Sequence, residues 1–175
     1  FSLLTGGGGN ANYWHWLFDV LPRVKILESK MNLSDIDFFL FPDLKEKFQF
    51  ETLNHLNIPV DKRLSSRVFR HVQTVEAIAV DHPYVMKNDP SIEIQNLPHW
   101  ILKYLRNKFL NKKNSKNFPD KFYIDRSDSK SNHRHLRKLI NEIEVKELLS
   151  KKGFSIVILS DLSFIDQVNL FQNAS

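Results

Sequence analysis

The stretch KFYIDRSDSKSNHRHLRKLINEIEVKELLSKKGFSIVIL (121–159) decides the fold class. KFYID (121–125) reads as a strand and FSIVIL (154–159) as a buried strand, each a short apolar run bounded by polar residues. Between them NEIEVKELLSKKG (141–153) has helical spacing, with Asn141 placed to cap it, Glu144 at the reciprocal position and Gly153 to close it. A second helix, SFIDQVNLFQNA (163–174), opens on Ser163 as cap with Asp166 three residues on. Strand, helix, strand, helix at this spacing implies a βαβ unit with a parallel sheet, and the class α/β.

Outward from this unit the pattern changes. Residues 111–119 are polar and basic with no apolar period, and read as a linker. LPHWILKYLRNKFLNKK (97–113) is an amphipathic helix with Trp100, Ile101, Tyr104, Leu105 and Phe109 on one side. A domain break is therefore expected between Lys112 and Pro119, dividing the chain into 1–113 and 114–175. Within the first part, residues 10–30 have helical character and DIDFFLF (35–41) reads as a strand. LKEKFQFETLNHL (44–56) reads as a helix, and RVFRHV (67–72) and VEAIAV (75–80) as strands.

Composition bounds the function. The 175 residues are 42% hydrophobic, enough for a core, and contain no cysteine, which removes thiolate metal sites and disulfides and fits a reducing compartment. No apolar run reaches the roughly 20 residues of a membrane span. Between Lys103 and Lys138 stand 12 Lys and Arg against 3 Asp, so this belt carries +9 of a net +5 and the remainder is acidic. Such a belt can serve phosphorylated ligands, an anionic membrane or nucleic acid. Nucleic acid is disfavoured, because no zinc pattern, aromatic RNA-binding strand or helix-turn-helix accompanies it.

The second informative stretch is GGGGNANYWHWLFDVLPR (6–23). At about 100° per residue, Asn12, His15, Asp19 and Arg23 share one arc of a helix. Trp16, Leu17, Val20, Leu21 and Val24 take the other side, and Pro22 is placed to end or kink the helix. Glycines ahead of a helix N-terminus let a ligand approach the backbone. The stretch is neither a P-loop, since no Lys-Ser/Thr follows the glycines, nor a G-x-G-x-x-G fingerprint. His133 and His135 resemble a metal pair, but no third ligand is spaced to complete it. His82-Pro83 reads as a turn.

The segment NYWHWLFDVLPR (12–23) resembles the N-Y-[YW]-H-W-L-x-D-x-L-P-R motif of glycosyltransferase family 61. HPYVMKNDPSIEIQNLPHWILKYLRNKFL (82–110), FYIDRSDSKSNHRHLRKLINEIEV (122–145) and LSFIDQVNLFQNA (162–174) are similar to successive family segments in the same order. The resemblance implies a GT-B fold of two Rossmann-like domains, both incomplete here, because the chain stops just short of the family's G-x-H-G-A-G loop. A chain lacking that loop is expected to be inactive by itself. The implied activity is transfer of a sugar from a nucleotide-sugar, of the UDP series, to a glycan hydroxyl with inversion, in polysaccharide biosynthesis. No metal cofactor is implied. The absence of cysteine and of a leader-like start points to the cytoplasm as the expected location, with association at the inner face of the membrane. The competing expectation is a binding module that holds a nucleotide-sugar or phosphometabolite without turnover.

Residue roles follow from the same likeness. Asp19 or His15 is the expected base, with Asp19 favoured because carboxylates are the commoner base in inverting transferases. Arg126, at the end of the strand 121–125, matches the Arg of the family's Y-I-x-R-S motif and is assigned to the donor diphosphate, with Ser127 and Lys130 assisting. Glu142 matches the family's N-E-x-E stretch and is a candidate for the ribose or base. Asn12, Trp14 and Arg23 are candidate acceptor or sugar contacts.

Overall fold

A computed structural model describes residues 1–5, 11–85, 92, 95–110, 117–129 and 139–174. The chain forms two compact units, Phe1–Asn111 and Lys112–Ser175. The glycine run Gly6–Gly9, the pair His133 and His135, Lys130 and most of the linker lie outside the described residues.

In the first unit one long helical run carries the core. It comprises α1 (Tyr13–His15), a π-helical segment (Trp16–Val20) and α2 (Leu21–Glu28). The Asn12 side chain caps it by accepting from the backbone N–H groups of Trp14 (2.9 Å) and His15 (3.4 Å). Pro22 neither ends nor breaks the run. It has no N–H to offer the carbonyl four residues back, and the wider π turn directly before it accommodates that gap; the Leu21 N–H bonds Trp16 O. Trp16, Val20, Leu21 and Val24 are fully buried, as are Phe39, Phe41 and Leu53 of the elements that follow, and the Trp16 and Phe41 rings meet with centroids 6.1 Å apart. Those elements are β1 (Phe39–Phe41), α3 (Lys47–His55) and β2 (Arg63–Ser65), with α4 (His99–Phe109) packing on α2.

β1 and β2 pair in parallel, Phe39 opposite Arg63 and Phe41 opposite Ser65. The first residues extend this sheet: Ser2 bridges Leu40 on one side and Ala79 on the other, both in parallel. Hydrogen bonds from Leu3 N to Leu40 O and from Ser2 N to Ile78 O, each 2.8 Å, close the ladders. Across the sheet the order is β2, β1, the 1–3 segment, the Ala79 segment, or 3-2-1-4 in chain order. Leu3 is fully buried at its centre.

Three readings of this unit change. Residues 67–72 form a turn and irregular chain, and the strand at 75–80 is reduced to the bridge at Ala79; both segments are largely exposed, with Val68 and Val75 in solvent. Their alternation of apolar and polar residues imitates a strand, but among the described residues no neighbouring strand supplies a ladder for 67–72. Trp100 is exposed, while Ile101, Tyr104 and Phe109 hold the buried face of α4.

The second unit contains β3 (Phe122–Asp125), α5 (Glu142–Lys151), β4 (Ser155–Ile158) and α6 (Phe164–Asn173). β3 and β4 are parallel, from Phe122 opposite Ser155 to Asp125 opposite Ile158, as the βαβ pattern requires. Gly153 closes α5 with φ +85°, the left-handed conformation that glycine adopts without strain. Ser163 caps α6, its Oγ accepting from Asp166 N at 3.1 Å. Two expectations fail. Asn141 makes no side-chain cap to α5: its backbone, with φ −102° and ψ 36°, is not in the extended conformation from which a cap side chain reaches the first turn. β4 is not buried: Ser155 and Ile156 are exposed and Val157 and Ile158 half-buried.

Candidate functional site

The site of interest stands where the parallel segments of the first unit end. The helical run that follows residues 1–5 brings His15 and Asp19 onto one face, and the chain after Ala79 brings in His82 and Tyr84. His15 Nδ1 lies 2.7 Å from Asp19 Oδ2. A carboxylate only accepts, so Nδ1 carries a proton, and in the neutral ring Nε2 is the nitrogen with the free lone pair. The other carboxylate oxygen, Asp19 Oδ1, accepts from the Tyr84 hydroxyl at 2.7 Å. His82 Nε2 lies 3.9 Å from the same oxygen. Asp19 is thereby buried with both oxygens engaged, its side chain 11% exposed against 44% for that of His15.

Arg23 locks the frame. Its Nε donates to Asp19 O and its Nη1 to Leu4 O, both at 3.1 Å, tying the helix to the end of the central sheet segment. Burial lowers its guanidinium from the ordinary value, while Asp19 and Asp81 oppose that shift. Trp14 stacks on Phe18, ring centroids 4.9 Å apart, and meets the His15 ring edge-on at 5.2 Å. Of the residues placed on one arc by spacing, His15, Asp19 and Arg23 do meet. Asn12 is engaged as the helix cap rather than left open to a ligand.

His82 and Tyr84 were not among the sequence candidates. The His82 Nδ1 bonds Tyr84 O at 3.0 Å and its ring meets the Tyr84 ring edge-on at 4.4 Å, around a buried Pro83. The sequence signal was the compact HPY (82–84) directly after a strand-like run, at the place where α/β folds put ligands.

In the second unit the end of β3 carries the other candidates. Asp125 accepts from Lys146 Nζ (2.6 Å) and from Ser127 N (2.8 Å), and these bonds hold its carboxyl below the ordinary value. The same contact with Asp125 raises the Lys146 ammonium. Glu142 accepts from the Tyr123 hydroxyl at 3.2 Å and lies 3.7 Å from Lys146. Arg126 and Ser127 are exposed at the strand's carboxyl end. Arg126 makes no ion pair with Asp125 or Asp128 among the described residues, because Asp125 is taken by Lys146.

Two other features carry less. Asp35-Ile36-Asp37 has the D-x-D form associated with metal-dependent transferases, but it precedes β1, at the opposite end of the strands from His15. Asp35 there accepts from Asn32 and Ser34, and no group of three or more His, Asp and Glu side chains clusters for a metal among the described residues. A groove of about 660 Å³ opens between Met31, Leu33, Leu56 and Pro59. Its two lysines are already committed, Lys62 to the carbonyls of Ser34 and Ile36 and Lys108 to Glu28.

A parallel α/β unit with a histidine–carboxylate pair beyond the carboxyl ends of its strands has the layout of a ligand site in α/β enzymes. The family model of glycosyltransferase 61 matches residues 13–175. The chain belongs to glycosyltransferase family 61, and the reaction class is transfer of a sugar from a donor to an acceptor. Comparison with curated proteins and with solved structures gave no match.

Proposed function

We propose that the protein is an inverting GT-B glycosyltransferase that uses a nucleotide-sugar of the UDP series and a glycan acceptor, with His15 as base. The observation that carries this reading is the 2.7 Å contact between His15 Nδ1 and Asp19 Oδ2. It fixes the tautomer and leaves Nε2 on the more exposed partner, the arrangement in which a carboxylate orients an imidazole base. Asp19, with both oxygens occupied, is the orienting group; the preference between the two candidates passes to His15.

In the reaction the acceptor oxygen attacks the anomeric carbon as the bond to the diphosphate oxygen breaks. His15 Nε2 takes the acceptor proton, and the diphosphate leaves with the bonding electrons. Trp14 offers a ring face for a sugar, and Asn12 and Arg23 hold the helix that presents it. Arg126 and Ser127 at the end of β3 bind the leaving diphosphate, with Lys130 from outside the described residues. Glu142 contacts the nucleoside. The 3-2-1-4 parallel order supports a Rossmann-like first domain, and a ligand site at the switch point between the 1–3 and Ala79 segments is consistent with it. The wider setting is polysaccharide synthesis at the cytoplasmic face of the membrane, without a metal.

UDP release from a panel of UDP-hexoses and UDP-pentoses by the intact protein tests the assignment. His15→Ala lowers kcat by ~10²-fold or more with donor KM little changed, the scale of a lost general base. Arg126→Ala raises donor KM. A His15→Ala enzyme that keeps most of its turnover removes His15 from the chemistry.

A further inference from the structure

We infer that Tyr84 is a positioning residue of this site: through Asp19 it sets which nitrogen of His15 carries the proton. The inference rests on the reading of His15 as base.

A carboxylate held by one bond alone can rotate about its Cβ–Cγ axis and offer either oxygen, at varying angle, to an imidazole. Two short bonds on opposite oxygens remove that freedom. Asp19 has both: His15 Nδ1 on Oδ2 and the Tyr84 hydroxyl on Oδ1, each at 2.7 Å. The two donors come from places 65 residues apart in the chain, so the second bond is a tertiary device and not a by-product of helix geometry.

The Tyr84 ring is itself held. His82 Nδ1 faces the backbone carbonyl of Tyr84 at 3.0 Å, and a carbonyl only accepts, so that nitrogen carries the proton. At 3.9 Å, His82 Nε2 is beyond hydrogen-bond reach of Asp19 Oδ1. Among these neighbours the Tyr84 hydroxyl is the group that fixes Oδ1. Among the described residues, the charged and titratable groups around the His15–Asp19 pair are Arg23, Asp81, His82 and Tyr84.

The conservative variant Tyr84→Phe keeps the ring against His82 and removes the hydroxyl alone. Long-range ¹H–¹⁵N spectra of the histidine rings read the result without any substrate. Wild-type His15 shows protonated Nδ1 and unprotonated Nε2; in Tyr84→Phe the two tautomers mix. A His15 spectrum identical to wild type overturns the proposal. With the UDP-sugar panel, Tyr84→Phe lowers kcat about tenfold and leaves both KM values unchanged. Combined with Asp19→Asn it costs no more than Asp19→Asn alone, since both act through one carboxylate. Fully additive losses, or a kcat within twofold of wild type, also overturn it. His15→Ala separates the two readings. If that variant stays active, the base assignment falls and the tautomer spectrum alone judges Tyr84. If it is inactive while Tyr84→Phe is normal, only the Tyr84 proposal falls.

Discussion

Trp16 shows what single residues contribute to this fold. Its ring is fully buried, and its indole N–H donates to Thr52 Oγ1 at 2.8 Å. Thr52→Val therefore leaves a buried donor unpaired and should lower stability by about 1–3 kcal/mol, read from the denaturation midpoint. Trp16→Phe in that background should cost less than in the wild type, because the orphaned donor goes with it. Side-chain spacing made His15, Asp19 and Arg23 legible as neighbours, since they lie within one helical run. Tyr84 and His82 were not legible, because only the parallel pairing of Ser2 with Ala79 brings their segment to that helix. Asn12 was visible on the arc, but its identity as a cap depends on where the helix starts, and that boundary is set by backbone bonds that spacing does not report.

Among the elements, the π turn at Trp16–Val20 and the β3–α5 junction invite tests. Pro22 and the π turn are coupled, so Pro22→Ala, which restores an N–H, should let the run relax toward a regular α-helix. That relaxation re-aims Asp19 relative to His15. The expected outcome is unchanged or higher thermal stability with lower turnover, measured by melting and UDP release. At the β3–α5 junction the sign of the pH effect is fixed by Asp125. Its carboxyl titrates below the ordinary value, so its bonds stabilise the unit above that ordinary value and are lost as pH falls through the lowered one. Lys146 is shifted upward, so its contribution is full below the ordinary amine range and is lost as pH rises through the raised value. Thermal melts of the protein should thus fall off at both extremes, below about pH 4 and above about pH 10. Lys146→Met should lower mid-range stability and flatten the acid limb. The βαβ elements were legible because strand and helix differ in period; the failed cap at Asn141 was not, because it depends on that residue's backbone, whose φ −102° and ψ 36° are not the extended conformation of a cap.

For the whole chain, the proposed chemistry predicts that turnover of UDP-sugars survives an excess of chelator. Loss of activity restored by Mn²⁺ or Mg²⁺ would overturn it. The parallel character of the second unit followed from sequence, whereas the 3-2-1-4 order of the first did not, because two of its members touch the sheet through single bridges too short to announce themselves. The false strand at 67–72 is the other side of the same limit: alternation alone does not create a neighbour to pair with.

Residues 1–3 occupy the middle of the first unit's sheet, yet they lie outside the matched family region, which begins at Tyr13. A clone trimmed to that region would lose the sheet's central member and the carbonyl that Arg23 grips. During synthesis the same placement imposes a waiting time. Leu3 leaves the ribosome well before Leu40 and later still Ala79, its flanking partners, and at about 5–20 residues per second that delay lasts several seconds. Over that interval the nascent chain holds an unpaired apolar segment, and slowing translation before Ala79 should lengthen its exposure.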